Sequence, residues 1–468
     1  MVFSSITFLF YFLPAMMILY VLVPHKLKNL VMILASFVFY AWGEVRFVPV
    51  MLALSVVDFV FAKLMEKNRA DDKKRKLYML IPVLCNLGVL IYFKYTNFIM
   101  GNLFGLLGME SPFVQVVVPI GVSFNSFQSI SYAIDVYRGT TKCEKKYYNY
   151  LAYTTLFPQI IAGPIVRYVT VEDDLDDHML TVESFSLGMR RFILGLGKKV
   201  LIANNVGLLW SQISEGTAGE PSVLLYWIGI LAYTFQIYFD FSGYSDMAIG
   251  LARVFGLRFD ENFNYPYMSR SITEFWRRWH ITLGAWFRDY VYIPLGGNRG
   301  SKGRHLRNLL VVWALTGLWH GASWNFMIWG IYFSLILLLE KYYLLGKLEK
   351  LHSFARHIYT MLVVMVSWVI FYFEDLSRVP EYLKGMFGFG KVPLCNQQSL
   401  YYLLSYGMIF ILAAYFSTPH GIKKLEDKEQ STKASFNLFS TATYGFLFFA
   451  SVAYLVDSTY NPFLYFRF

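Results

Sequence analysis

Long apolar runs separated by short polar loops fill most of the 468-residue sequence. A membrane-spanning helix needs about 20 consecutive, mostly apolar residues, and runs near this length recur along the whole chain. The pattern predicts an all-α polytopic membrane protein. The predicted spans are residues 5–23, 29–43, 47–65, 77–93, 113–136, 193–212, 222–250, 308–318, 323–341, 358–374, 398–416 and 436–456, of which 308–318 is too short to cross a bilayer alone.

The composition supports this interpretation. Hydrophobic residues make up 56% of the chain and charged residues 16%, and the mean hydropathy is +0.43. Soluble proteins carry about 25% charged residues, so the chain has too much apolar surface to be soluble or disordered. The three cysteines (Cys85, Cys143 and Cys395) are far apart in sequence and form no CxxC pair, which excludes a disulfide scaffold and a zinc ribbon.

The basic residues give a formal net charge of +11. They cluster in short loops between apolar runs, as in the cytoplasmic loops of membrane proteins. We therefore interpret them as orienting the chain, with its N-terminus outside, and not as a nucleic-acid surface. The apolar run 2–23 follows no basic segment, so we interpret it as a retained first span and not a signal peptide. The basic loops are 66–76, 142–146, 299–307 and 423–433.

Two regions do not have the pattern of simple spans. Residues 157–164 contain two prolines and a glycine, which would break a helix. Residues 262–299 contain arginines, acidic residues and a histidine, and each ionised group costs at least about 2.5–3.5 kcal/mol at the bilayer centre. Such backbone is tolerated only where protein shields it or where it lines a water-filled cavity. We predict re-entrant or interfacial segments there.

Two histidines are candidates for chemistry. His320 lies at a glycine-flanked break between two apolar runs, and His280 lies in the charged region. An imidazole can take a proton from a hydroxyl during attack on an acyl carbon. Alternatively, His320 bonds a backbone carbonyl in a packed core, and His280 is an ordinary interfacial histidine. The sequence has no close-spaced metal-ligand pair, so no metal site is predicted, and no GxSxG motif.

Charged residues near these histidines are further candidates. Arg277, Arg278 and Arg288 could bind a phosphate-bearing donor, or they could contact lipid headgroups. Asp240 and Asp246 could orient an imidazole or simply end a helix. The predicted substrate-binding residues are Arg277, Arg278, Trp279, Arg288, Asp289 and Asn325, and the predicted supporting residues are Asp240, Asp246 and Trp319.

Several long motifs in the sequence resemble those of a known protein family. The runs ENFNYPYMSRSITEFWRRWHITLGAWFRDYVYIPLGGNRG (261–300) and LTGLWHGASWNFMIWG (315–330) resemble the membrane-bound O-acyltransferase superfamily, and more narrowly its alginate O-acetyltransferase membrane-subunit branch. Supporting stretches are PIGVSFNSFQSISYAIDVYRG (119–139), FPQIIAGPIVR (157–167), YFDFSGYSDMAIGLARVFG (238–256) and NPFLYFRF (461–468).

The resemblance implies a ring of about 11–13 transmembrane helices with re-entrant segments around a tunnel through the bilayer. It implies a single membrane domain over 1–468, with N-terminal spans in 1–137, a catalytic core in 148–345 and C-terminal spans in 355–468. His320 matches the superfamily's catalytic histidine. His280 matches a second polar position, which is histidine in this branch and asparagine in many eukaryotic members.

The implied function is O-acetylation of an exported or cell-wall polysaccharide, with acetyl-CoA as the cytoplasmic donor and no permanently bound cofactor. The implied location is the bacterial inner membrane, and the implied partner is an extracytoplasmic SGNH-type acetyltransferase. Two alternatives stay open: acyl transfer to teichoic acid from a carrier protein, as by D-alanyl transfer proteins, and a non-enzymatic acyl channel.

Overall fold

A computed structural model describes residues 1–109, 115–177, 180–421, 438–457, 460–462 and 464. In these ranges the backbone forms helices, turns and irregular loops without β-strands, which confirms the predicted all-α fold. The basic cluster 423–433 and most of the motif 461–468 lie outside the described residues. The longer helices are α1 (Phe8–Leu22), α2 (Lys28–Glu44), α3 (Val48–Lys67), α4 (Asp72–Leu106), α5 (Val122–Arg138), α6 (Tyr147–Thr155), α10 (Val182–Ser214), α11 (Val223–Val254), α14 (Lys302–His320), α15 (Trp324–Leu348), α16 (Ser353–Tyr372), α17 (Arg378–Met386), α18 (Gln397–Phe416) and α19 (Leu438–Asp457).

Short helices connect these longer ones. They are α7 (Phe157–Ile160), α8 (Tyr168–Val171), α9 (Asp174–Asp177), α12 (Ile272–Arg278) and α13 (Ile281–Phe287). Helix α7 lies in the first of the two regions predicted to be irregular, and α12 and α13 lie in the second. Residues 157–166 are buried throughout, although α7 lasts only four residues. Residues 262–299 contain α12 and α13 in place of one continuous helix. The prediction that neither region is a simple span is confirmed.

Seven helical stretches in the described part of the chain are long and apolar enough to cross a membrane. They are His25–Lys67, which contains α2 and α3, together with α4, α10, α11, α15, α16 and α18. Helix α1 is a shorter apolar helix. The predicted polytopic membrane protein is therefore confirmed.

Helix ends differ from the predicted spans where polar residues lie inside a helix. Helix α14 has 19 residues, whereas the pattern indicates only 308–318, because its first turns carry Lys302, Arg304 and Arg307. Helix α10 begins at Val182, well before residue 193. Helix α5 begins at Val122 and not at residue 113, since the left-handed Gly121 (φ 81°) directly precedes it.

The chain divides into two units. The first comprises residues 1–192 and 244–260, and the second comprises 193–243 and 261–468. In the first unit a buried carboxylate links three helices: the Asn86 amide donates to Asp58 Oδ1 at 2.8 Å, and the Tyr150 hydroxyl donates to Asp58 Oδ2 at 3.1 Å. The second unit contains both candidate histidines. The predicted subdivision of a single membrane domain stays a prediction.

A close helix crossing in the second unit positions His320. Helices α14 and α15 form a hairpin in which glycines let the two backbones meet. A Cβ atom on Gly317 would lie 2.2 Å from the Phe326 carbonyl oxygen, and one on Gly330 would lie 2.2 Å from the Trp313 carbonyl oxygen. Small residues are the usual means by which membrane helices approach this closely. Gly317 and Gly330 therefore allow the close contact of the two helices beside His320.

The Gly330→Ala variant is expected to separate these helices and to destabilise the protein by about 1–3 kcal/mol, as overpacking of a tight contact does. The measurement is thermal unfolding of detergent-solubilised protein. Gly346→Ala on the same helix is the matched control, because a Cβ atom there meets no atom within 4 Å. Equal unfolding temperatures for the two variants would contradict the close crossing.

Candidate functional site

His320 is the last residue of α14, where the helix ends and the chain turns into α15. Its ring is buried among aromatic rings that meet it edge to face. The ring centroids lie 5.1 Å from that of Trp329, 5.3 Å from that of Phe371 and 5.0 Å from that of Trp319. The helix terminus and these rings together hold the imidazole in one place.

The imidazole of His320 lines a cavity in the second unit. Apart from His320 and Asp240, the described side chains around this cavity are apolar or aromatic. A mostly apolar cavity with a few polar groups suits a small organic group whose reacting end is fixed by those polar groups. The lining residues are Ile237, Asp240, Phe241, Trp279, His320, Trp329, Trp368, Phe371 and Leu464.

His280 is held by Asn262 in an unusual backbone conformation. It has φ 45° and ψ 54°, in the left-handed region, and it directly precedes α13. Its Nδ1 lies 3.0 Å from Asn262 Oδ1, an oxygen that also accepts from the Thr282 hydroxyl at 2.9 Å. Because the amide oxygen can only accept, Nδ1 carries the proton, and in the neutral ring Nε2 carries the lone pair.

The indole of Trp319 connects the two histidines. Its ring lies 5.6 Å from that of His280 and 5.0 Å from that of His320. Phe241, which lines the cavity, also meets the His280 ring at 4.7 Å. The structure therefore brings together two histidines that are forty positions apart in the sequence, with an aromatic wall around them.

Two further predicted residues belong to the same site. Trp279 lines the cavity and packs on Trp368, with 5.2 Å between ring centroids. Asp240 also lines it, and its Oδ1 lies 2.5 Å from Lys199 Nζ. The structure thus places Trp279, Asp240 and Trp319 beside the candidate histidines.

His280 and Trp319 pack beside the cavity but are not among the residues that line it, and the remaining predicted residues do not line it either. Arg277 is exposed, and Arg278 pairs with Glu274 at 2.9 Å. Arg288 pairs with its neighbour Asp289 at 2.8 Å.

Asn325 and Asp246 also make contacts elsewhere. The Asn325 amide donates to the Phe371 carbonyl at 2.9 Å, so that it joins the start of α15 to the end of α16. Asp246 belongs to the first unit and pairs with Arg191 at 2.9 Å.

Sequence reasoning missed three residues that shape the site. Asn262 fixes the His280 ring, and Lys199 pairs with Asp240. Glu340, which is fully buried, accepts from the backbone N–H groups of Ile272 and Thr273 at 2.6 and 2.8 Å and so anchors the start of α12. Lys199 was detectable as a charge inside the predicted span 193–212, whereas nothing in the sequence pattern distinguishes Asn262.

In the described residues, no group of three histidine, cysteine or acidic side chains is arranged to hold a metal ion.

Comparison with known proteins identifies the class to which this site belongs. A model of the membrane-bound O-acyltransferase family matches residues 146–379, a stretch that includes both His280 and His320. The matched stretch is half of the chain. The chain belongs to the membrane-bound O-acyltransferase family, and it is accordingly an O-acyltransferase.

Individual relatives are similar over different lengths. The probable alginate O-acetylase AlgI of Azotobacter vinelandii is 39% identical, with both chains covered completely. The peptidoglycan O-acetyltransferase of Helicobacter pylori is 32% identical over 85% of this chain and 81% of the relative. The teichoic acid D-alanyltransferase of Bacillus subtilis is 28% identical over 47% of this chain and 58% of the relative.

Proposed function

We propose that the protein transfers acetyl groups across a membrane for O-acetylation of a cell-envelope polysaccharide. The proposal rests on one observation, a buried histidine, His320, in an apolar cavity of a membrane-embedded O-acyltransferase. The full-length similarity to an alginate O-acetylase and the similarity to a peptidoglycan O-acetyltransferase support acetyl as the group and a polysaccharide as the acceptor.

In this proposal His320 is the general base. It takes the proton of an accepting hydroxyl as the hydroxyl oxygen attacks the acyl carbonyl carbon. With acetyl-CoA as the donor, a carbon–oxygen ester bond forms and the carbon–sulfur bond breaks. The thiolate then takes the proton from His320 and leaves as the free thiol. A positioned base of this kind contributes typically about 10²–10⁴-fold to the rate.

His280 would orient one reactant. The tautomer that Asn262 selects leaves a lone pair on Nε2, so the neutral ring accepts a hydrogen bond from a hydroxyl there. Polarising the acyl carbonyl would instead need an N–H donor at this atom. We therefore assign His280 the orientation of a second hydroxyl of the acceptor, because the accepting hydroxyl has a single proton and gives it to His320.

The donor would enter from the cytoplasmic side. The exposed Arg277 would bind a phosphate of acetyl-CoA, since guanidinium groups bind phosphate in a bidentate fashion. Arg288, which is also exposed, would bind phosphate while it remains paired with Asp289. Trp279 would contact the acyl end, because it lines the cavity. Arg278, Asp289 and Asn325 would act by holding the surrounding segments through the bonds they already make.

We place the protein in the bacterial inner membrane, where a cytoplasmic donor and an exported polymer are both within reach. An extracytoplasmic SGNH-type acetyltransferase would complete transfer to the polysaccharide. This partner is proposed because a hydroxyl on a large polymer needs a catalytic surface outside the bilayer.

The test is deletion of the gene followed by mass spectrometry of the envelope polysaccharides. Loss of O-acetyl groups, restored by the wild-type gene, is the expected result.

Partial similarity to a teichoic acid D-alanyltransferase favours D-alanyl transfer as the second candidate. Loss of alanine esters with O-acetyl groups unchanged would support that candidate and contradict acetyl transfer.

A further inference from the structure

A buried ion pair, Lys199 with Asp240, lies beside the cavity, and the proposed reaction uses neither residue. Lys199 of α10 and Asp240 of α11 both belong to the second unit, and their side chains are 4% and 3% exposed. Burying two charges is costly unless good geometry and further hydrogen bonds satisfy them. Intramembrane ionisable residues are therefore functional candidates.

Both charged groups bond to the backbone of the C-terminal segment, by which we mean residues 460–462 and Leu464. Lys199 Nζ donates to the carbonyl oxygen of Pro462. The backbone N–H of Leu464 donates to Asp240 Oδ2 at 2.8 Å. The ion pair thus holds the segment at two points. Both bonds are made to main-chain atoms of the segment and not to its side chains.

An asparagine completes the attachment. Asn204 accepts from Lys199 Nζ at 2.9 Å through Oδ1, and its amide nitrogen donates to Asn461 Oδ1 at 3.1 Å. One buried network therefore joins the ammonium group, the carboxylate and the C-terminal segment. Buried polar networks of this kind rigidify the groups that they join.

The segment held by this network reaches the site. Leu464 lines the same cavity as His320 and Asp240. We propose that Lys199 and Asp240 are positioning residues that hold the C-terminal segment as a wall of the acyl-transfer cavity, with Leu464 limiting the size of the acyl group. The inference rests on the proposed function of that cavity.

The ratio of propionyl to acetyl transfer tests whether Leu464 limits the size of the acyl group. Membranes of cells that make the polysaccharide receive equal amounts of acetyl-CoA and propionyl-CoA, and mass spectrometry counts both esters. Leu464→Ala is expected to raise the ratio about tenfold, the lower end of what one methylene contributes to discrimination. The paired variant Lys199→Met with Asp240→Leu, which leaves no lone buried charge, is expected to raise it in the same direction.

Two controls complete the design. Leu404→Ala, an equal change at a position that is 82% exposed on α18, should leave the ratio unchanged. This inference alone would be overturned if His320→Ala loses transfer while both Leu464→Ala and the paired variant keep the wild-type ratio of propionyl to acetyl transfer. Wild-type transfer by His320→Ala would overturn the proposed function and, with it, this inference.

Discussion

Replacing His320 by alanine is expected to lower acetylation of the polysaccharide by about 10²–10⁴-fold while the protein still inserts into the membrane. The reason is that no other described histidine lines the cavity, so the accepting hydroxyl would lose its base. The measurement is the O-acetyl content of the polymer in a deletion strain that carries the variant gene, with membrane levels of the protein checked by immunoblot.

Packing makes a second variant necessary. The His320 ring meets three aromatic rings, and alanine would leave a void among them. His320→Gln retains most of the volume but cannot act as a base at neutral pH, so it should be equally inactive. His352→Ala is the control, because this histidine is exposed and does not line the cavity. Normal acetylation by His320→Gln would rule out the base assignment.

Replacing His280 by alanine is expected to lower acetyl transfer by about 10²-fold. Two effects combine: the ring that orients the reactant is lost, and alanine is strained at φ 45°. Asparagine tolerates left-handed backbone far better because its short polar side chain bonds locally. His280→Asn should therefore retain clearly more activity than His280→Ala, measured as initial rates with equal amounts of protein.

Comparison of the two variants separates the causes. If His280→Asn is as inactive as His280→Ala at equal membrane levels, the imidazole itself is required. If both variants are as active as the wild type, His280 lies outside the reaction, and its bond to Asn262 serves only the local fold.

The spans could be predicted because lipid demands about 20 apolar residues per crossing, and every predicted span overlaps a helix. The ends of the spans could not be predicted, because a helix can continue into exposed polar residues where a side chain caps its first turn, as Ser301 does for α14. Helix α14 shows this: its basic first turns have the pattern of a loop, yet they continue the helix that carries His320. The left-handed Gly121 shortens α5 in the opposite way.

The site could be predicted in part. His320 and His280 stood out because polar rings are costly in a membrane, and the structure brings both against Trp319. Distances across the fold are not encoded in local pattern, which is why Asn262 went unnoticed. For the same reason the sequence does not show that the amide of Asn325, predicted to bind substrate, donates to the backbone carbonyl of Phe371.

The most direct test of the central role of His320 is transfer by purified protein in lipid vesicles. The vesicles receive acetyl-CoA with a radiolabelled acetyl group and an oligosaccharide acceptor, together with the extracytoplasmic partner where transfer requires it. We expect labelled ester with the wild-type protein and at least about 10²-fold less with His320→Gln. Equal labelling by the two proteins would contradict it.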